Sequence, residues 1–301
     1  MTVVSTSSAK APTVDRILVG YLLILVSTIC FSASNNLAKE SYSHGVSVDT
    51  MLVGRSWSLA VLLGLWFVAR RRRPTIPAGM TGWVIAAAML FSANAWSLLS
   101  SFDVMPVSLS ILVFYLFPFL VGLLAAVMGI EKLRGATVVG LVVAFLGLIL
   151  TLDTEGSPDL WGIFLAFIAG VAIALNILIS GKLFRRGMSA VAVAFWMTVG
   201  GAVFFSIGLL AGDGLELPGG SAGWGAFIGT ILFVGIAFVT FYSAVARLTE
   251  SRTALVMNLE PVFTILIAVV VFGEPFGWSQ WLGAALVTLA VVWVSAAGYR
   301  R

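Results

Sequence analysis

The most chemically loaded stretch of the chain is Asn258-Leu259-Glu260-Pro261, where an amide, an acid and a helix-breaking imide follow one another closely. A similar break stands at Tyr115-Leu116-Phe117-Pro118. Proline has no N–H and clashes with the carbonyl four residues before it, so Pro118 and Pro261 should interrupt their helices and free the carbonyls of Phe114 and Met257. In hydrocarbon a freed carbonyl is costly until a donor meets it. That donor is either water or substrate in a cavity; otherwise the prolines only shape packing. Glu260, immediately before Pro261, has three possible roles: to titrate a proton, to bind an ammonium group, or to accept hydrogen bonds from neighbouring backbone.

Other familiar chemistries lack their residues. One cysteine, Cys30, and one histidine, His44, exclude a disulfide within the chain and a multi-ligand metal or iron–sulfur site, so no cofactor is implied. Intramembrane hydrolysis would need a serine with a His or Lys base, or paired aspartates within spans, but no Asp lies clearly mid-span and the sole His stands at a helix boundary. There is no Gly-x-x-x-x-Gly-Lys segment for ATP. These absences turn attention from catalysis to the elements that hold the polar residues.

Those elements are apolar. Sixty per cent of the 301 residues are hydrophobic and 10% charged, with a mean hydropathy of +1.09, whereas soluble domains carry about 25% charged residues. Apolar runs predict ten membrane-spanning helices near 17–38, 47–69, 82–101, 106–129, 136–153, 159–180, 189–212, 221–247, 252–272 and 279–297. Residues 1–15 read as a disordered cytoplasmic tail. The first apolar run is about 20 residues long without a small-x-small cleavage site, so it reads as a retained span. With this assignment every Lys and Arg except Lys39 and Arg55 falls on one side of the membrane. The positive-inside rule then puts both termini in the cytoplasm, and the positive charge answers to lipid topology rather than to nucleic acid. Seven tryptophans fall near span ends, while Trp57, Trp96 and Trp196 lie deeper.

Shifting the chain by 142 to 143 residues aligns its halves: Gly20, Gly45 and Ser47 fall on Gly162, Gly187 and Ser189, and Ser108, Pro118, Glu131 and Gly140 on Ser251, Pro261, Glu274 and Gly283. Five spans per half require the second half to be upside down, which predicts two inverted repeats over residues 16–153 and 154–301. In alternating-access transporters such repeats enclose a substrate site near the membrane midplane.

The paired segments Tyr115-Leu116-Phe117-Pro118 and Asn258-Leu259-Glu260-Pro261-Val262-Phe263, with the Gly273-Glu274-Pro275 turn and Gly283, resemble the EamA motifs of the drug/metabolite transporter superfamily. The resemblance covers essentially the whole chain, twice, and YddG-type amino-acid exporters are nearest in character. Two first-half positions depart from the pattern, Phe31-Ser32 and Gly129-Ile130-Glu131. The resemblance implies an all-α integral protein of a bacterial cytoplasmic membrane. Spans 1–4 and 6–9 would surround a central cavity for a small-molecule substrate, an amino acid or related metabolite, with spans 5 and 10 outside. Exporters of other amphipathic compounds and a non-selective channel remain the alternatives. Because the Leu-Glu-Pro motif recurs across substrates in such transporters, a structural or gating role for Glu260 is preferred.

Amides are costly against lipid and should turn inward, as interhelical glue or as cavity lining. The candidate cavity residues are therefore Asn35, Asn94, Trp96, Tyr115, Phe117, Asn176, Tyr242, Asn258 and Glu260, with Pro118 and Pro261 as kinks. Glu260 should lie roughly 12 Å from the cytoplasmic face and Arg55 a similar distance from the outer one, too far apart for a direct ion pair. Arg55 is expected to snorkel outward, the alternative being attraction of a substrate carboxylate.

Overall fold

A computed structural model describes residues 14–129, 135–151, 159–211, 214–245, 247, 256–257 and 259–299. They form eleven helices: α1 (Val14–Ser43), α2 (Val48–Ala69), α3 (Thr81–Val104), α4 (Val107–Phe114), α5 (Phe117–Val127), α6 (Gly135–Thr151), α7 (Leu160–Arg185), α8 (Ala190–Ala211), α9 (Gly220–Val245), α10 (Glu260–Val270) and α11 (Trp278–Tyr299). No strand occurs among the described residues. Among the described residues, seven stretches are long and apolar enough to cross a membrane: Ile17–Ser43, Val48–Ala69, Thr81–Val104, Val107–Leu124, Leu160–Arg185, Ala190–Leu210 and Gly220–Phe241.

α1 carries an apolar outer stripe and a largely polar inner face. On α1, Leu18, Leu22, Val26 and Ile29 are exposed, whereas Ser27, Thr28, Ser32, Ser34, Asn35 and Asn36 are buried. In water this arrangement would be inside out, but facing lipid the outer stripe costs nothing and the inner hydroxyls and amides join helices. α1 also runs past its expected end at residue 38. Its last turn stays helical because Lys39 donates to the Asp103 carbonyl oxygen at 3.1 Å and Ser43 to the Glu40 carbonyl at 2.7 Å.

Helix pairing has a consistent register. α1 packs chiefly on α9 and α3 on α7. Ser27 donates to the Ala237 carbonyl at 2.8 Å and Ser34 to that of Thr230 at 3.0 Å, so positions advance along α1 as they retreat along α9, and the pair is antiparallel. Between α3 and α7, Asn94 donates to the Ala169 carbonyl at 3.0 Å and Asn176 to that of Ala87 at 2.7 Å. Adding 142 to 27 and 34 gives 169 and 176; adding 143 to 87 and 94 gives 230 and 237. The two helix pairs thus carry bonds at the same register, separated by the sequence offset.

α2 and α8 form another pair. The Trp57 indole donates to Ser206 Oγ at 2.9 Å, while Phe67, further along α2, meets the ring of Phe195, further back on α8. These helices also run antiparallel. α6 lies on α11, and Gly147 sets the closeness, since a Cβ there would fall 2.7 Å from the Gly283 carbonyl oxygen.

One expectation needs correction here. Trp196 is not a deep residue, because its indole donates at 2.8 Å to the Pro74 carbonyl in the connection between α2 and α3. On α9, a Cβ at Gly229 would touch Leu37, whereas one at Gly225 meets open space. Two substitutions follow from these distances. Gly147→Ala should lower the thermal unfolding midpoint of the detergent-purified protein, because only backbone movement relieves the overlap. Gly225→Ala should leave it unchanged, as read by intrinsic fluorescence.

Candidate functional site

The helix break expected at Pro118 is present. α4 ends at Phe114, Tyr115 and Leu116 form a turn, and α5 restarts at Phe117 with Pro118 in its first turn. α10 likewise begins at Glu260 with Pro261 in its first turn. The two breaks meet. Tyr115 is 2% exposed, and its hydroxyl lies 2.9 Å from the Met257 carbonyl oxygen and 2.9 Å from Glu260 Oε2. Met257 supplies the carbonyl that Pro261 frees, so a tyrosine from the first half of the chain is its donor. The other freed carbonyl, of Phe114, lies against Gly170 of α7, where a Cβ would approach it to 3.2 Å.

α1 completes the site. α1 and α10 run parallel, with Ser32 donating to the Glu260 carbonyl at 3.1 Å and Asn36 to that of Thr264 at 3.2 Å. Between them, Asn35 Nδ2 donates to Glu260 Oε1 at 3.1 Å. Glu260, 7% exposed, thus has one carboxyl oxygen on an amide and the other on a phenol. The phenol carries a single proton and has two acceptors within range. If Glu260 is ionised, that proton serves either Glu260 or Met257. If the carboxyl is protonated, Glu260 donates to Tyr115 and Tyr115 donates onward to Met257, so both acceptors are served.

Of the predicted cavity residues, the structure brings together Asn35, Tyr115, Phe117 and Glu260, with Pro261 at the same break. The Phe117 ring lies 5.4 Å from that of Tyr115 and 5.3 Å from that of Phe114. Asn94 and Asn176 do not join them, since their amides are used between α3 and α7. Trp96 is 41% exposed. Asn258 lies outside the described residues, as do the side chains of Tyr242 and Pro118. Thr28 was not singled out in the sequence, and Ser32 only as a departure from the family pattern, although their spacing from Asn36 forms a polar stripe one turn apart. Thr28 Oγ1 approaches Met257 Sδ at 3.4 Å. Nearer one end, Ser108 donates to Glu274 Oε2 at 2.8 Å, joining the start of α4 to the turn after α10.

No group of three or more His, Cys, Asp or Glu residues placed to hold a metal occurs among the described residues. Arg55 and Glu260 form no ion pair; the one such pair among the described residues is His44 with Glu40, at 3.2 Å. Arg55 is half-buried, and its Nη1 is shielded from solvent without a hydrogen-bond partner. Snorkelling does not describe such a nitrogen.

The EamA-like transporter family matches the chain twice, over residues 18–153 and 160–296. The chain belongs to that family: it is an integral membrane transporter of small molecules and not an enzyme. An uncharacterized protein of Pseudomonas aeruginosa, PA1977, is 29% identical, with 84% of this chain and 87% of the relative covered. The uncharacterized transporter YyaM of Bacillus subtilis is 24% identical over 91% of this chain and 93% of its own. A protein of known crystal structure shares the fold with a TM-score of 0.62 at 22% identity, covering 95% of this chain and 99% of its own.

The hydrogen-bond pattern predicts a graded response at position 260. Glu260→Gln can accept from Asn35 through its oxygen and donate to Tyr115 through its nitrogen, so stability should stay within roughly 1 kcal/mol of wild type. Glu260→Leu leaves the Asn35 amide without its acceptor and should cost about 1–3 kcal/mol. Tyr115→Phe strips the donor from Met257 and should cost about as much. Equilibrium unfolding of the three purified variants would check the order.

Proposed function

We propose that the chain is a ten-span exporter of the bacterial cytoplasmic membrane, with both termini cytoplasmic, which moves amino acids or related small metabolites by alternating access. In this reading α4 with α5 forms the fourth span, α6 the fifth, α10 part of the ninth and α11 the tenth. The halves, residues 16–153 and 154–301, are then inverted repeats. The antiparallel course of α2 and α8, which occupy equivalent places in the two halves, supports the inversion. So do the hydrogen bonds repeated at an offset of 142 to 143.

The observation that carries the mechanism is the crossing contact at the paired breaks, Tyr115 to Met257 and Glu260. Each half supplies one interrupted helix, and bonds that join the two breaks are the kind of contact expected beside a substrate site between inverted repeats. An ionised carboxylate has about four lone-pair positions, and Asn35 and Tyr115 engage two, which leaves Glu260 able to meet a substrate ammonium. Phe114, Phe117 and Tyr115 provide aromatic surface beside it for an apolar side chain. Rocking of the halves would open this region to each face of the membrane in turn.

Two measurements test the proposal. Proteoliposomes preloaded with an unlabelled amino acid should transiently concentrate the same labelled amino acid, saturably, for at least one member of a panel of the twenty. Flux that never saturates and shows no counterflow would indicate a channel, and silence across the whole panel would overturn the amino-acid assignment. For topology, cysteines placed at the exposed positions Asp103 and Glu216 in a Cys30→Ala background should react with an impermeant maleimide on intact cells. Protection of both would reverse the orientation.

A further inference from the structure

Arg55 presents an unresolved charge. A guanidinium stays ionised and offers five donors in a planar fork, yet no described residue forms a hydrogen bond or ion pair with it, and Nη1 is sealed from solvent. A shielded nitrogen of a charged group without a partner is unfavourable, so the guanidinium calls for an acceptor that no described residue supplies. Tyr42, on the last turn of α1, has the same character. Its hydroxyl is shielded and unpartnered, and it lies within electrostatic range of Arg55. Arg55 in turn is within range of Glu260. Two helices therefore bring unpaired donors towards one region, connected electrostatically to the acid at the paired breaks.

The surroundings select the ligand's charge. Phosphate dianions call for several cations, but Arg55 has no second cation beside it: Lys39 is engaged with the Asp103 carbonyl. Asp49 and Asp103 lie within electrostatic range of Tyr42, and Glu260 of Arg55, and each disfavours additional negative charge. A single carboxylate fits. Its two oxygens match the guanidinium fork, and the phenol can donate a third bond.

We infer that Arg55 and Tyr42 form the subsite for a monoanionic carboxylate on the transported molecule. The inference rests on the transport reading above and deepens it: Glu260 would face the amine of an amino acid while Arg55 and Tyr42 hold the acid. It also stands if the substrate proves to be a carboxylic acid without an amine.

Thermal unfolding of the purified full chain, titrated with phenylacetate, with its uncharged isostere phenylacetamide and with chloride, tests the subsite without requiring the substrate. Phenylacetate should raise the midpoint at concentrations at least about tenfold below those at which phenylacetamide or chloride acts, given the strength of charge-assisted bidentate pairing. Arg55→Gln should abolish the difference. Tyr42→Phe, which removes one hydroxyl, should weaken the phenylacetate response about three- to tenfold, the loss of a single hydrogen bond. Equal responses to the acid and the amide in the wild type, or an undiminished preference in Tyr42→Phe, would overturn the subsite even if Arg55→Gln did not fold. Counterflow of an amino acid without any carboxylate preference would sink the subsite alone. A carboxylate preference lost in Arg55→Gln, with no amino acid transported, would sink only the amino-acid assignment.

Discussion

A lipid bilayer supplies no hydrogen bonds, so a carbonyl released from a helix must be answered by the protein itself. That constraint organises the centre of this molecule. Pro261 releases the Met257 carbonyl, and the phenol of Tyr115, at the break in the other half of the chain, answers it. The same phenol reaches Glu260, and Asn35 holds the opposite carboxyl oxygen. Two interrupted helices and α1 are thereby bound through a few polar atoms. The rest of the bundle, with its lipid-facing leucines and valines, keeps water and lipid from competing for those bonds.

Proteins that must change shape in a membrane face a related difficulty, because every polar bond broken during the movement has to be replaced. Here many interhelical bonds run from a small side chain to a backbone carbonyl, as from Ser27, Ser32, Ser34, Asn36, Asn94 and Asn176. Such bonds are individually modest, about 0.6 kcal/mol on average in one membrane protein. Their number makes the bundle specific, and their weakness keeps each helix pair separable.

Much of this architecture is legible in the sequence because the bilayer simplifies it. The run expected at 47–69 is the helix Val48–Ala69, and that expected at 82–101 is Thr81–Val104; both are predominantly apolar and end close to a charge or a proline. The prolines marked the breaks and named the carbonyls they would release. What sequence did not settle is which partner each amide meets. Asn35 and Asn94 are the same residue on similar helices, yet one bonds a carboxylate at the breaks and the other a backbone carbonyl between α3 and α7. The difference lies in the rotation of each helix about its own axis, which apolar runs without a clear polar face leave open. Tyr42 was passed over because it lies beyond the apolar run that defined the first span, and Arg55 was expected to reach water because solvation usually decides the fate of a lone cation.

The bonds that α1 makes along α10 are of two kinds. Carbonyls recur at every turn of a helix, so Ser32 and Asn36 would find similar acceptors one step up or down; such contacts resemble teeth on a rack and define no unique position. The Glu260 side chain occurs once. Its grip on Asn35 and Tyr115 acts as the pawl, giving a repetitive interface a single resting notch.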